Sequence, residues 1–359
     1  MDRREFIRLT VLMAATGQSV TDSCARIGNS YWIRHPALAE QSALVKPKWA
    51  SPTIKVIGVG EFGRSAIHAM APPRTPDVQF ICIDSEEGMP FRKQTEDNLH
   101  ISLADAGFDY LHGGESKRPE SALSNPLKII EAINGADMVI LAVGMGDKTG
   151  ASVSSMVAEI ARRRGALTIA FATTPFAFDG DRNVVAVAGI NALKNNVDTL
   201  ILLPNDKLLG KSFDGATLLD KFAVAPILVA SEICAIIDVF DRPTTLNVDF
   251  ADMQTMIRKS GLAKTASERA EGKSRAGDVV GQAAISLLLD EAKLNRARGV
   301  LVNIATRNSI QISEALKVIR ALRSQTLKDT MLICGTSQDE TLADSCIRVS
   351  LLVTGLKSV

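Results

Sequence analysis

The sequence predicts an α/β protein with a parallel sheet, followed by a second, smaller α/β region. Short β-branched runs that end in glycine or a polar residue, such as TIKVIGVG at 53–60, alternate with segments of helical periodicity. A long, mainly apolar stretch at 222–240 exceeds the length of a strand and predicts a helix buried on most sides. Parallel strands need helical crossovers, so this alternation predicts a sheet covered on both faces.

The elements before the long helix follow in a regular order. Residues 86–125 are polar, interrupted by glycine and proline, and too weakly periodic to predict an element. The predicted elements are strand 53–60, a helix from Arg64, strand 79–84, helix 127–134, strand 137–143, helix 153–164, strand 166–172, helix 184–194 and strand 199–203.

After the long helix, the loop 247–252 leads into a further helix, and the polar residues 260–280 favour a surface connection. The remaining predicted elements are helix 280–294, strand 298–305, helix 311–323, strand 330–335 and strand 346–354. The predicted domains are an extension at 1–52, a nucleotide-binding domain at 53–220, a central helix at 221–242 and an α/β domain at 243–359.

Composition excludes several classes of protein. The 359 residues are 46% hydrophobic and 23% charged, which is ordinary for a globular chain, and the net charge of +1 gives no basic field for nucleic acid. Five cysteines without a C-x-x-C pair, and four histidines without ligand spacing, predict reduced thiols and no metal site. No apolar run approaches the ~18 residues of a membrane span.

The N-terminal segment differs from the rest of the chain. Arg3 and Arg4, followed by the short apolar run 9–16, are typical of a twin-arginine export signal. The Ala-Leu-Ala triplet at 37–39 lies too far beyond that run to be a usual cleavage site. The alternative is an amphipathic or disordered extension. We expect a cytoplasmic protein, with export as the other possibility.

The first glycine loop follows the first strand directly. Gly58, Gly60 and Gly63 fit G-x-G-x-x-G between a strand and a helix, and Asp84 ends the next strand. This pattern is the dinucleotide fingerprint, with the acid placed for the ribose hydroxyls, so it favours NAD. A single glycine loop is weak support, because other phosphate-binding folds also use backbone N–H groups at a helix N-terminus.

A second glycine loop, GMGDKTGAS at 144–152, again stands between a strand and a helix. It offers a second set of backbone donors to phosphate, which dinucleotide folds do not usually need. Together with other segments it resembles FtsZ, the tubulin-like bacterial cell-division family, from about Thr53 to Leu356. The segments that carry the resemblance are NVDTLI at 196–201, LPNDKLL at 203–209, NVDFAD at 247–252, TTPFAFDG at 173–180 and RGVLVNI at 298–304, in the family's order and spacing.

The resemblance implies a tubulin/FtsZ-like parallel-sheet nucleotide-binding domain, a long central helix and a smaller C-terminal α/β domain. It also implies GTP or GDP, with Mg²⁺, between head-to-tail subunits of a filament, the partner being the same chain or another FtsZ-like subunit. The implied nucleotide contacts are Gly58, Gly60, Gly63, Ser65, Gly144, Gly146, Lys148, Thr149, Gly150, Asp179, Arg182, Asn205 and Phe222.

The implied catalytic residues are Asn247, Asp249 and Asp252, which in the family enter the next subunit's nucleotide site. Two carboxylates three residues apart at a helix start can face the same way and orient a water for phosphoryl transfer. The alternative is structural, with Asp252 capping the following helix while Asp249 and Asn247 close a turn.

The chain departs from the family at its nucleotide loops. Glu61 and Phe62 stand where the family has glycines, Asp147 adds a negative charge to the second loop, and Pro226-Ile227 replace an Asn-Asp pair that reads guanine. The alternative function is therefore a pseudo-GTPase that docks through 247–252 without firm nucleotide binding. The sequence ends at Val359, just after the position of the family's last core strand, so we expect no adaptor-binding tail.

Overall fold

The structure is a computed structural model that describes residues 52–70, 77–84, 99–102, 127–146, 148–208, 218–240, 246–289 and 294–356. Residues Ser51–Val359 belong to one compact unit. The predicted extension up to Ser51, the residue Asp147 and the side chains of Lys148 and Phe222 lie outside the described part.

Strands and helices alternate through most of this unit. The strands are β1 Ile54–Val59, β2 Val78–Asp84, β3 Leu99–Ser102, β4 Met138–Gly144, β5 Leu167–Thr174, β6 Thr199–Pro204, β7 Gly261–Glu271, β8 Gly299–Thr306, β9 Met331–Gln338 and β10 Cys346–Leu356. The helices are α1 Gly60–Ala69, α2 Leu127–Ile133, α3 Lys148–Arg163, α4 Gly180–Lys194, α5 Asn205–Leu208, α6 Leu218–Ile237, α7 Phe250–Ile257, α8 Arg275–Leu289 and α9 Ile312–Arg323, with a 3₁₀ turn at Leu294–Arg296.

Within the described residues the strands form one ten-stranded sheet in the order β3-β2-β1-β4-β5-β6-β7-β10-β8-β9. All neighbours are parallel except β10, which runs antiparallel to both β7 and β8. From β1 the chain first builds outward through β2 and β3, and then returns to build the other side through β4, β5 and β6. The order therefore reverses between β1 and β4.

Strands β1, β2, β4, β5 and β6 contribute to apolar clusters on both faces of the sheet, which explains why every residue of β1 and β4 is buried. On one face, Ile67 of α1 and Val229 and Ile233 of α6 pack against the sheet. On the other face, Ile129 of α2 and Val153 of α3 do the same. Apolar contact on both sides makes these strands continuous hydrophobic runs rather than alternating ones.

The sheet continues into the C-terminal region through the pairing of β6 with β7, in which Thr199 lies opposite Gly261. Helices α8 and α9 cover one face of this region. The other face contributes Leu301 and Leu352 to the core cluster that α6 shares with the first half. Helix α6 thus packs against both halves, and the predicted fold class is confirmed; the predicted boundaries at 220 and 242 stay predictions.

The expectation that residues 260–280 form a surface connection is wrong. They contain the interior strand β7 and the start of α8. Polar side chains of β7 find partners: the Ser267 and Ser350 hydroxyls lie 2.8 Å apart, and Ser286 of α8 donates to Glu268. Because these polar side chains bond to neighbouring elements rather than to water, the sequence pattern of β7 wrongly predicts a solvent-exposed segment.

Helix starts also differ from the predictions. Helix α1 begins at Gly60 rather than Arg64, α3 at Lys148 rather than Val153, and α4 at Gly180 rather than Val184. Each first turn is rich in glycine or polar residues and carries little apolar periodicity, so a pattern-based prediction begins one turn late. The short strand β3 was not predicted, since its residues lie in the weakly periodic segment.

Candidate functional site

The reversal of strand order places a crevice at the carboxyl ends of β1 and β4. In open α/β sheets, ligands bind at such a switch point, because the loops on either side diverge. Helix α1 begins directly after β1, and α3 begins four residues after the end of β4. Two helix N-termini, each with a positive dipole end, therefore meet at one crevice, which suits an anion.

The first glycine loop brings α1 close to the sheet. A Cβ atom on Gly58 would lie 2.4 Å from the Gly63 carbonyl oxygen, and one on Gly63 would lie 2.4 Å from the Ala142 carbonyl oxygen. Gly60 has φ +73°, a left-handed conformation that favours glycine. Gly58 and Gly63 thus serve close packing of helix on strand, and Gly60 allows the turn between them; together they set the helix N-terminus at the crevice.

The second glycine loop is contacted by the chain that follows β5. A Cβ atom on Gly146 would lie 3.2 Å from Pro175 Cγ and 3.9 Å from Arg182 Cδ. Arg182 is exposed in the first turn of α4, and Asp179 is the N-cap residue of that helix without a side-chain capping bond. The structure therefore brings Gly146 and Arg182 together, with Asp179 at the start of the same helix.

The first turn of α3 is part protein core and part crevice wall. Thr149 and Gly150 are buried, and the Ser154 hydroxyl donates to the Gly150 carbonyl at 2.5 Å. Ala151 faces α4, where a Cβ atom on Gly189 would lie 2.7 Å from the Ala151 Cβ. Position 151 therefore serves helix–helix packing.

Phe62 lies between the two glycine loops. A Cβ atom on Gly144 would lie 2.8 Å from Phe62 Cβ and 3.2 Å from its Cγ, so the phenylalanine covers the end of β4. Its side chain is half-buried and packs against the core cluster that includes residues of α6. Glu61, one residue earlier, is exposed.

The side of the site expected to meet the base contains an unsatisfied acceptor. Asn205 begins α5 immediately after β6, and among the described residues no hydrogen-bond partner reaches its buried Oδ1. A buried carbonyl oxygen without a donor is unfavourable, so a ligand N–H group would be favoured there. Ser65 is half-buried on α1, while on α6 Pro226 is buried and Ile227 is 54% exposed.

The acid proposed for the ribose of a dinucleotide is used elsewhere. The Asp84 carboxylate is buried and lies 3.6 Å from the Nε atom of Arg64 on α1. That ion pair connects the end of β2 to α1. Because Asp84 is already paired within the protein, it gives less support to the second half of the NAD fingerprint.

We term residues 247–252 the Asp loop. They lead into α7 and include the first residues of that helix. Asn247, Asp249 and Asp252 are all exposed. Asp249 is the N-cap residue, and its Oδ1 accepts a hydrogen bond from the Ala251 amide at 2.9 Å. The structural alternative, in which Asp252 caps this helix, is therefore wrong: the cap is Asp249, and Asp252 lies in the first turn.

The Asp loop and the crevice lie at opposite edges of the sheet. Helix α6 begins on the crevice side, after β6 and α5, and its 20 residues span about 30 Å. Beyond its far end the Phe240 ring contacts Phe250 of α7 edge-on at 5.9 Å. Helix α7 then ends beside the amino end of β6, where the Thr199 hydroxyl donates to the Ile257 carbonyl at 3.0 Å.

The framework of the crevice fits a nucleotide: two helix N-termini face one space, and Asn205 offers an acceptor to a base. The side chain that does not fit without moving is Phe62, because it covers Gly144. Among the described residues, no group of histidine, cysteine and carboxylate side chains could hold a metal ion by itself. No helix there has the length and hydropathy to cross a membrane.

Fold and crevice together define an α/β protein of the class that holds phosphate groups at the switch point of a parallel sheet. Residues 53–212 match the Tubulin/FtsZ family GTPase domain, and residues 261–357 match the FtsZ family C-terminal domain. Cell division protein FtsZ of Neisseria meningitidis serogroup B is 35% identical over 311 residues, which cover 85% of this chain and 78% of that protein. The FtsZ of Buchnera aphidicola subsp. Acyrthosiphon pisum is 36% identical over 309 residues, covering 84% of this chain and 79% of its own.

Solved structures agree with this assignment. A point mutant of FtsZ from M. jannaschii superposes with a TM-score of 0.74 and 27% identity, covering 89% of this chain and 94% of that one. The CetZ2 protofilament from Haloferax volcanii with bound GTPγS shares the fold, with a TM-score of 0.62 and 15% identity over 84% of this chain and 92% of that one. The chain belongs to the FtsZ family of tubulin-like GTPases, which confirms the resemblance seen in the sequence.

Two residues that shape the crevice were not predicted. Pro175 packs against Gly146, and Gly189 accommodates Ala151. Neither carries a local signal, because each matters only through a contact with a loop distant in the sequence.

Proposed function

We propose that this protein is an FtsZ-like filament subunit that holds GTP or GDP, with Mg²⁺, at the crevice. In this proposal its Asp loop completes hydrolysis in the crevice of a neighbouring subunit. The observation that carries the proposal is the separation of crevice and Asp loop by the length of α6, about 30 Å for its 20 residues. A carboxylate must lie within reach of the attacking water, so a subunit cannot use its own loop.

The two aspartates suit a role in positioning water. Phosphoryl transfer depends mainly on placing the nucleophile and the charges, and the bound nucleotide supplies the bond that is broken. Asp249 is held in place by its bond to the Ala251 amide, and Asp252 is exposed in the first turn of α7. A carboxylate fixed by a helix N-terminus has a defined orientation without a cost at the time of reaction.

On the receiving side, each part of the crevice has a proposed role. The first amides of α1 and α3 hold phosphate groups, Asp179 lies near the ribose, and the Asn205 side chain bonds a base N–H group. Arg182, beside Gly146, supplies positive charge near the phosphates. The neighbour is a second copy of this chain or another FtsZ-like subunit, stacked head-to-tail, in the cytosol where GTP is available.

A second candidate function is favoured by the side chains of the crevice. Glu61 adds a negative charge to the first turn of α1, where an anion would bind. Ile227 presents an apolar surface, 54% exposed, where the family has a guanine-reading aspartate. A chain with these residues could act as a pseudo-GTPase that docks its Asp loop onto a partner without firm nucleotide binding of its own.

The test begins with calorimetric titration of the full chain with GTP, GDP, ATP and NAD in the presence of Mg²⁺. The proposed function predicts binding of guanine nucleotides above the others. It also predicts phosphate release from GTP whose rate per subunit rises with protein concentration, because each site needs a neighbour. A rate per subunit that is independent of concentration would contradict completion of the site in trans.

Absence of binding for all four nucleotides would instead support the pseudo-GTPase candidate. The next measurement is then phosphate release by a GTP-loaded FtsZ partner, with and without this chain. The Asp252→Asn variant of this chain is the control.

A further inference from the structure

The side chain of Phe62 is a large apolar group at the switch-point crevice. Its Cβ and Cγ atoms lie over Gly144, so close that a Cβ there would be 2.8 Å and 3.2 Å from them. Phe62 is in the first turn of α1, and Gly144 is the last residue of β4. The side chain thus stands between the two backbone segments whose amides would have to face one phosphate group.

Two further observations show that this position is supported by packing. Phe62 packs against the hydrophobic cluster that also contains Ile67 of α1 and Val229 of α6. Glu61, its neighbour, is instead exposed to solvent. Leaving Gly144 would expose apolar surface that is now in contact with protein, which is unfavourable in water.

A phosphate group and an aromatic ring compete for this space for electrostatic reasons as well. The face of an aromatic ring carries partial negative charge, which repels an anion. The side chain also offers a phosphate group no hydrogen-bond donor that could replace the first amides of α1 and α3. A phosphate group therefore reaches those amides only if the side chain moves.

We propose that Phe62 is the gate of the phosphate crevice: it occupies the space over Gly144, and a nucleotide binds only by displacing it. This inference rests on the proposed function, because it concerns access to the same crevice. It places the obstruction to nucleotide binding at the phosphates rather than at the base.

The experiment compares full-length variants in calorimetric titrations with GTP, GDP and inorganic pyrophosphate, each with Mg²⁺. Phe62→Ala removes the ring and keeps a good helix former in α1. We expect it to tighten all three by about tenfold or more, since displacement of an apolar side chain no longer opposes binding. Pyrophosphate has no base, so an equal gain for it locates the effect at the phosphates.

Two variants serve as matched controls. Phe62→Leu keeps apolar bulk over Gly144 and should bind as the natural chain does. Phe80→Leu alters a phenylalanine of the same cluster that lies in the middle of β2, opposite Val56, away from the crevice. Melting temperatures of all variants show whether each one folds.

The outcomes distinguish failure of the gate proposal from failure of the proposed function. Equal GTP affinity in the natural chain and in Phe62→Ala would overturn the gate and leave the proposed function standing. Failure of both proteins to bind GTP and pyrophosphate would overturn the gate and the nucleotide-holding role together. A similar gain in Phe80→Leu would also overturn the gate, because it would reflect general loosening of the core.

Discussion

The Oδ1 atom of Asp249 accepts a hydrogen bond from the backbone amide of Ala251 at 2.9 Å. Asp249 is therefore both the N-cap of α7 and one of the two exposed carboxylates of the Asp loop. The two roles are compatible, since the capping bond fixes the orientation of the carboxylate. They can be separated by substitution, because asparagine caps a helix about as well as aspartate but carries no charge.

The first prediction follows from this difference. Asp249→Ala should lower the free energy of unfolding by about 1 kcal/mol through loss of the cap, whereas Asp249→Asn should leave it nearly unchanged. Both should abolish assembly-dependent GTP hydrolysis while GTP affinity remains. Urea unfolding, phosphate release and calorimetry provide the three readouts. Retained hydrolysis in Asp249→Asn would show that the carboxylate serves only as a cap.

The second prediction concerns Glu232, which lies on α6 where that helix meets the C-terminal part of the sheet. Burial raises the pKa of Glu232 to about 7, while a hydrogen bond from Thr265 and the charge of Arg348 oppose the shift and the charge of Glu268 adds to it. The Arg348 guanidinium is shared with other acids, lying 2.9 Å from Asp339 and 3.7 Å from Asp238.

A carboxyl group with a raised pKa in the folded state binds more protons when folded than when unfolded. Its contribution to stability is therefore lost as the pH rises from its unfolded pKa of 4.5 to about 7. Glu232→Gln should be more stable than the natural chain at pH 8, by roughly 2–4 kcal/mol, and equally stable below pH 4.5. Urea unfolding of both proteins across this pH range measures the difference in their free energies of unfolding. A difference that does not change with pH would contradict the raised pKa of Glu232.

The third prediction concerns the ion pair between Arg275 at the start of α8 and Glu314 in α9. The guanidinium donates two parallel bonds to the carboxylate, at 2.6 Å and 2.9 Å, and a third to the Asp344 carbonyl at 3.0 Å. The bond from Arg275 holds the pKa of Glu314 below its usual range. The stability from this pair is thus present above pH 4.5 and is lost as the pH falls through the lower, folded pKa.

Arg275→Ala should cost roughly 1–3 kcal/mol, because it removes the donor to a largely buried carboxylate and to the Asp344 carbonyl. Arg275→Lys should recover only part, since an ammonium group cannot make the paired bonds. Arg163→Ala is the matched control: its bond to Glu159 is 2.6 Å long, but the arginine side chain is 78% exposed. That control should change stability by less than about 0.5 kcal/mol.

The fourth prediction tests the contact of α3 with α4. A Cβ atom on Gly189 would lie 2.7 Å from Ala151 Cβ and 3.2 Å from Met145 Sδ. Gly189→Ala should therefore destabilise the protein by roughly 1–3 kcal/mol, despite the better helix propensity of alanine. At Gly281 in α8, no atom of the described residues outside the helix's own backbone lies within 4 Å of the new Cβ, so Gly281→Ala should stabilise the protein by roughly 0.5–1 kcal/mol. Thermal unfolding of both variants gives the comparison.

The fifth prediction concerns the acceptor of Asn205. Among the described residues its buried Oδ1 has no donor, so Asn205→Ala should leave the stability of the nucleotide-free protein unchanged or slightly higher. If that oxygen bonds a base N–H group, the substitution should weaken GTP binding by roughly tenfold and leave pyrophosphate binding unchanged. Equal loss for both ligands would place Asn205 away from the base.

Several elements could be predicted from the sequence because their environment is uniform along the chain. Strands β1, β4 and β5 are contacted by apolar side chains on both faces and therefore read as continuous hydrophobic runs. Strand β7 could not be predicted in this way. Its serine and glutamate side chains are paired with β10 and α8, and such partners are invisible to a local pattern.

The same distinction between local pattern and tertiary contact applies to the candidate site. The sequence by itself determined the two glycine loops, their position between strand and helix, and the aspartates of the loop 247–252, because each depends on residue type at fixed spacing. Only the tertiary structure decided that Phe62 covers Gly144, that Arg182 lies beside Gly146, and that the cap is Asp249. The contacts of Phe62 and Arg182 join segments dozens of residues apart, and the choice of cap depends on which backbone amide the carboxylate reaches. Directions and distances of this kind are set by packing rather than by local sequence pattern.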